Sequence, residues 1–599
     1  QSMQNANSAG LHRNIAIGYQ TMANVGSNGP DDNIAIGYQA LNDVTTANYN
    51  TAVGSYAGSK ITTDGNSTLI GFRAGEYLTE SHNVFIGMDA GRYAYNVDTS
   101  VLIGYSAGEY IGQGNTDAQR VVAVGFEAGK YATGSYNTFI GHTSGRGGTT
   151  GAPYSSGQYN TAVGERAFYS HTTGDNNVAI GYLTMYASTT ARYNTALGNG
   201  ALFANTSGQA NVSIGQDSLS SSQTANNSVS IGYQSQFSAN HVDTSGNVAV
   251  GYTALRMNIK GAQNVAVGEE AGRYATGSKN TFVGHRAGLG STSTPYASGD
   301  ENTAIGNDAF RFGETAQRNV AIGHRAGELI KTGNNNTYIG GYRTGYYNHA
   351  GSSNIGIGNS AIGADANTYV NELVAVGVAA GALTAGNVGD TDGNVYVGYN
   401  AGYSNVSGSG LTFLGFKAGQ NATGSNNTFL GYRAGQGTGG AAATSGGNNT
   451  GIGYEALKVF TTGYENTAIG NYAGDAITTG NRNVLLGHNA GTSLNVGYRN
   501  TYIGNATGVS DTDGRNNVAI GLNAAYYLNG GDENTLIGNK AGFKLGDSGG
   551  GASDADGHSS YNVAVGFGAI GGGDDTFANN TANKNVAVGY KAHGGNTID

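Results

Sequence analysis

The chain has no cysteine and no tryptophan, only three prolines in 599 residues, and just 11% charged residues. Without thiols, neither disulfides nor thiolate metal sites can form, and the redox compartment cannot be read from thiol usage. With a net charge of −10 there is no basic stripe to neutralise a phosphate backbone, so no nucleic-acid partner is expected. No apolar run approaches the ~18 residues of a spanning helix, so no membrane insertion by this segment is expected. Nor does the N-terminus pair a charged with an apolar region as a signal peptide does. Glycine is abundant, at 104 residues, but a three-residue period is missing and proline is scarce, which excludes collagen.

What is present is one phrase, repeated thirty-two times: asparagine, a small or β-branched residue, an apolar residue, an aliphatic residue and glycine, as in Asn14-Ile15-Ala16-Ile17-Gly18. Its glycine recurs at Gly37, Gly54, Gly71, Gly87 and Gly104 and onward to Gly566 and Gly589, mostly 16 or 17 residues apart. The residue before that glycine is Ile, Val or Leu in every copy. A unit this short cannot enclose a core alone, so copies must stack and share one. Alternation around the phrase has period two, which means strand. In Val248-Ala249-Val250-Gly251-Tyr252-Thr253-Ala254 it places Val248, Val250, Tyr252 and Ala254 on one face. The expected fold is all-β: a parallel β-roll, or β-solenoid, of about 32 coils of roughly 17 residues. It forms one continuous domain over 1–599, and the rod is about 150 Å long at ~4.8 Å per coil.

Each phrase position then has an expected place. The aliphatic residue before glycine should point inward as the core ladder, and glycine should mark a corner. Asparagine opens 26 of the 32 copies, the exceptions being Ser67, Ser100, Val121, Ser228, Leu373 and Leu411. Its amide suits a turn and a ladder from coil to coil. The position two before glycine should then face outward, yet it holds Ala or a large apolar residue, including Phe85, Phe139, Phe282, Phe413 and Phe429. A strand apolar on both faces is covered on both. These phenylalanines are therefore the expected interface with further copies of the chain.

Copies such as Asn177-Val178-Ala179-Ile180-Gly181-Tyr182 resemble the head repeats of YadA-like trimeric autotransporter adhesins. Others, such as Asn137-Thr138-Phe139-Ile140-Gly141-His142 and Asn427-Thr428-Phe429-Leu430-Gly431-Tyr432, resemble repeats of bacteriophage tail fibres. The resemblance spans nearly the whole chain. It implies a left-handed roll, a homotrimer, and attachment to a cell surface through a glycan or protein receptor. The location it implies is a virion surface or the bacterial exterior. Heptads and barrel strands typical of the adhesins are missing, and the coils are longer than adhesin-head coils, which favours the phage tail or head fibre over the bacterial adhesin head. The first residue, Gln1, is read as marking a processed chain or a fragment. The end at Asn596-Thr597-Ile598-Asp599 is read as the stump left by a self-cleaving chaperone, which such tail fibres often carry.

A second period overlies the first. Gly141, Gly284 and Gly431 lie eight coils apart in similar stretches, giving super-repeat boundaries near 145, 290 and 437. Enlarged loops follow each, with Tyr154 and Tyr296 beside prolines in the first two. Insertions in repeat proteins often bind partners, so these tyrosines are candidate receptor-loop residues. Asp390-Thr391-Asp392-Gly393 and Asp511-Thr512-Asp513-Gly514 resemble the start of a calcium loop, but lack its distal glutamate. Asp390, Asp392, Asp511 and Asp513 are thus weak metal candidates beside a reading as Asp-rich turns. No nucleophile elbow or paired-carboxylate motif is present, so neither enzymatic activity nor a cofactor is expected. His142, His285, His324 and His488 take the post-glycine place usually held by tyrosine, where ring stacking is expected. Sugar binding by exposed tyrosines, and a remote alternative as an ice-binding solenoid, complete the readings.

Overall fold

The computed structural model describes residues 13–26, 29–113, 117–148, 154–239, 244–292, 296–363, 369–383, 393–439, 444–545, 559–571 and 583–592. It forms two compact units, Gln1–Glu301 and Asn302–Asp599. Each is a parallel β-solenoid with no helix among the described residues, and each carries sixteen copies of the phrase strand. Most strands are three residues long, from Ile15–Ile17 to Thr281–Val283 in the first unit and Thr303–Ile305 to Val586–Val588 in the second.

Register follows the phrase. Ile15, Ala16 and Ile17 pair with Ile34, Ala35 and Ile36, and Thr412, Phe413 and Leu414 pair with Thr428, Phe429 and Leu430. One shift occurs, between Ile322 and His324 against Thr337–Tyr342, where Gly340-Gly341 adds a residue. The phrase glycine keeps the coils in step. The Gly37 N–H donates to the Ile17 carbonyl at 2.8 Å and that of Gly54 to Ile36 at 2.7 Å. At φ +138, a Cβ on Gly37 would lie 2.5 Å from the carbonyl oxygen of Gly54. Only glycine fits this left-handed conformation and this approach.

The structure reverses the expected parity of the strand. The residue two before glycine points inward: Ala35, Ala179, Phe85, Phe139, Phe413 and Phe429 are fully buried, and Phe282 is 2% exposed. The aliphatic residue next to glycine points outward, with Ile140 at 40%, Leu197 at 44% and Leu414 at 44% exposed. The five phenylalanines are therefore core residues of their own chain, not contacts to another. The reason is the asparagine. It is buried as well, and in an extended strand residues two apart share a face, so asparagine and the third phrase residue go inward together. Alternation carries across the glycine to the ring that follows it and breaks at the next residue, Thr253 after Gly251, which is buried and left-handed at φ +52. Ala254 is buried, while Val248 and Val250 lie on the outer face and Tyr252 is 51% exposed.

Buried asparagines form an amide ladder. The Asn33 N–H donates to Asn14 Oδ1 at 2.9 Å and that of Asn50 to Asn33 Oδ1 at 2.9 Å. Asn177 Nδ2 donates to the Ala191 carbonyl at 2.8 Å, and Asn177 Oδ1 accepts the Asn194 N–H at 3.1 Å. Each amide thus satisfies turn groups that would otherwise be buried without partners.

Core volume is shared between two positions. Every Leu, Phe or Tyr at the inward strand position but one is followed six residues later by glycine, as in Leu69/Gly75, Phe85/Gly91 and Phe413/Gly419. Tyr338, in the coil with the extra residue, has Gly345 instead. Where the strand offers Ala or Ser, a large residue often stands at the second position, as in Ala35/Leu41, Ala179/Met185 and Ser213/Leu219. That second position is left-handed, with φ +46 at Leu41 and +51 at Met185. A side chain there carries a strain of about 1 kcal/mol, which burial of a large apolar group exceeds.

Candidate interaction surfaces

With the parity settled, the outer face of the strand becomes the leading surface. On each rung it presents Thr, Val or Ile, then Ile, Val or Leu next to glycine. Ile70, Ile180, Val267, Ile305 and Leu486 are 37–42% exposed. The post-glycine ring widens the strip. Tyr105, Phe126 and His142 stack at 5.1 and 5.0 Å, and Tyr399, Phe416, Tyr432 and Tyr454 at 5.0–5.2 Å. His324 stacks on Tyr342 at 5.6 Å, so histidine takes part in the ring ladder there as it does at His142.

A second aromatic ladder stands six residues after glycine. Tyr77, Tyr93, Tyr110 and Tyr131 are stacked at 5.2–5.4 Å. Beside it the preceding residue alternates in sign from coil to coil: Glu76, Arg92, Glu109, Lys130. Arg92 Nε meets Glu76 at 2.9 Å, and Lys130 Nζ meets Glu109 at 3.2 Å and Glu127 at 2.8 Å. Within these stacked runs each ring covers its neighbour.

The candidate loop tyrosines join this second ladder. Tyr154 packs parallel to Tyr110 at 5.8 Å and to Tyr131 at 6.4 Å, and Tyr296 packs on Tyr274 at 6.0 Å. All three enlarged loops rejoin the coil by an equivalent single parallel bridge: Ala132 to Ser155, Ala275 to Ala297, and Ala422 to Thr444. Pro153 and Pro295 lie outside the described residues.

Asp390 and Asp392 also lie outside the described residues. Asp511 is fully buried, and donors fill its carboxylate. The Tyr502 hydroxyl donates to Oδ2, while the N–H groups of Gly514 and Gly530 donate to Oδ1 at 2.9 and 3.2 Å. A cation would need those oxygens free. The equivalent turns Asn405-Val406-Ser407-Gly408 and Asn258-Ile259-Lys260-Gly261 carry asparagine at this place, and Gly408 donates to Asn405 Oδ1 at 2.8 Å. The Asp-Thr-Asp-Gly stretch is thus the same turn with a carboxylate in the core. Burial raises the Asp511 carboxyl to about 6 against the opposing pull of its three donors, and burial and the neighbouring carboxylate push the Tyr502 phenol well up. Asp513 lies in the same turn and is only half-buried. Among the described residues, no group of three His, Asp or Glu side chains is placed to hold a metal ion, and no helix is long and apolar enough to cross a membrane.

No model of a known protein family matches the chain, and no curated protein matches it.

Proposed function

We propose that the chain is the shaft of an attachment fibre whose copies pack side by side through the outer strand face. One observation carries this reading: the residue before the phrase glycine is aliphatic in all thirty-two copies although it points out of the coil. Core packing does not require that choice, and exposed strips of this length are aggregation-prone unless covered. Sixteen rungs at ~4.8 Å, each a three-residue strand of ~10 Å, give a strip of about 750 Å² per unit, comparable with about 800 Å² per partner in a stable interface. A partner must repeat with the same rise to cover it rung for rung, and a second copy of this chain does so.

The number of copies, three, and the role in adhesion come from the resemblance to trimeric adhesin heads and phage tail fibres. A viral tail or head fibre is the preferred form, at the virion surface, with a glycan or protein of the host cell as receptor; a bacterial surface adhesin is the alternative. Light scattering on the purified chain tests the assembly. Three times the single-chain mass supports the proposal, and a single-chain mass at micromolar concentration refutes it. Ice binding fits less well. Thr51, Thr138 and Thr281 do lie on the outer side, but each shares its rung with Val53, Ile140 or Val283, and valine or isoleucine replaces threonine on many rungs. A regular hydroxyl array is therefore not formed.

A further inference from the structure

The residue just before the asparagine position stands on the turn that leads into the strand, and one stretch of that edge carries an interrupted aromatic column. Tyr136 and Tyr159 occupy this place on neighbouring coils, their rings 4.8 Å apart and 10° from parallel. The next coil has Asn176 there, and the one after has Tyr193. Backbone bonds confirm that these are successive rungs: the Asn176 N–H donates to the Gln158 carbonyl at 3.0 Å and that of Tyr193 to the Asp175 carbonyl at 3.1 Å. Tyr159, Asn176 and Tyr193 all have φ +58. The aromatic column therefore continues with one rung replaced by a short amide. Tyr159 is 54% and Tyr193 62% exposed, in contrast to the half-buried or buried rings of the Tyr77–Tyr131 column.

We propose that this slot binds one pyranose ring of an oligosaccharide, held between Tyr159 and Tyr193. Two rungs separate the rings by about 10 Å. A flat aromatic guest needs only about 7 Å, from two carbon contacts of ~3.5 Å, whereas a puckered sugar ring with contacts near 4 Å on both faces needs about 8–9 Å. The rim suits hydroxyl groups. Asn176 is exposed at the floor, and Asp175 and Arg192 stand beside it, 3.6 Å apart and 30% and 46% exposed. Together they supply both acceptors and donors. The assignment deepens the attachment reading and rests on it for its biological sense, but the site itself is testable separately.

The test uses the full chain on an array of immobilised hexose and hexosamine oligosaccharides, with Tyr193→Ala and Asn176→Tyr alongside. Asn176→Tyr fills the slot with the residue that its neighbours already carry at the same backbone angle, so it folds. The expected result is binding by the parent chain and at least a tenfold loss in both variants, with assembly mass and melting temperature unchanged. Retained binding by Asn176→Tyr overturns the slot while leaving the attachment reading intact. Binding of the parent chain to a protein receptor but to no glycan also overturns the slot. Failure of the parent chain to bind glycans, proteins or cells overturns both.

Discussion

Phe85 and Gly91 share one parcel of core space: a Cβ on Gly91 would stand 2.6 Å from two ring carbons of Phe85. The pairing is reciprocal along the chain, because coils with leucine or methionine at the second position carry a small strand residue. Phe85→Ala should cost about 3–5 kcal/mol through the cavity it leaves. Gly91→Leu alone should be at least as damaging, since it overpacks the core and adds left-handed strain. The double variant recreates the Ala35/Leu41 arrangement and should recover part of the loss. Hydrogen exchange of the flanking coils reads the local effect, since repeat arrays need not unfold in one step.

Asp511 makes a pH prediction with a definite sign. Its folded pKa is raised from 3.8 to about 6, so the folded state binds the proton more tightly than the unfolded state. The stabilising contribution is fully present below pH 3.8 and is lost as pH rises through 6. It amounts to about 3 kcal/mol. Asp511→Asn, which restores the residue of the equivalent turns, should melt higher than the parent at pH 7. The difference between the two should shrink between pH 6 and 4. Thermal melts of both proteins across that range check it.

Asn177→Ala removes an amide that donates to the Ala191 carbonyl and accepts from Asn194. Leaving buried backbone groups unpaired should cost about 2–4 kcal/mol. Asn177→Ser should cost less, because Ser67 occupies the same place and its Oγ accepts the Asn83 N–H at 3.2 Å. Denaturant melts of the two variants should rank them in that order.

Ile180→Lys tests the outer face. The side chain is already 37% exposed, so within one chain the change should cost at most about 1 kcal/mol, as surface substitutions do. Between copies it would place an unpaired charge in an apolar contact. Combined with Ile140→Lys and Leu197→Lys, it should lower the solution mass to that of a single chain while β-rich circular dichroism persists. An unchanged mass would remove this face from the assembly.

Much of this architecture could be read from the residues. The phrase period gave parallel stacked coils, and the turn chemistry of asparagine gave the amide ladder. The strand's inner and outer faces could not be read by alternation alone. Extending it from Val248 to Ala254 crosses Thr253, where φ is +52 and the alternation breaks, so that Ala254 is buried while Tyr252 is not. A better signal was available: Phe, Tyr and Leu at one position coincide with glycine six residues on, which marks both as contributors to one enclosed volume. The Asp511 turn was likewise legible by comparison with Asn405-Val406-Ser407-Gly408, whereas the packing of Tyr154 on Tyr110 depends on a loop path that no local pattern encodes. The Tyr159–Tyr193 slot escaped notice because it is defined by a gap, an asparagine where a ring would complete the column.

The glycine that closes the phrase strand faces its own kind on rung after rung: a Cβ on Gly37 would meet the carbonyl of Gly54, one on Gly54 that of Gly71, and one on Gly71 that of Gly87. No rung needs a distinctive neighbour at that contact, so whole coils can be inserted or deleted there without redesigning the rest. A lineage carrying such a spine can lengthen or shorten its molecule by copying segments of gene, and the eight-coil blocks ending near Gly141, Gly284 and Gly431 have the form that such copying leaves behind.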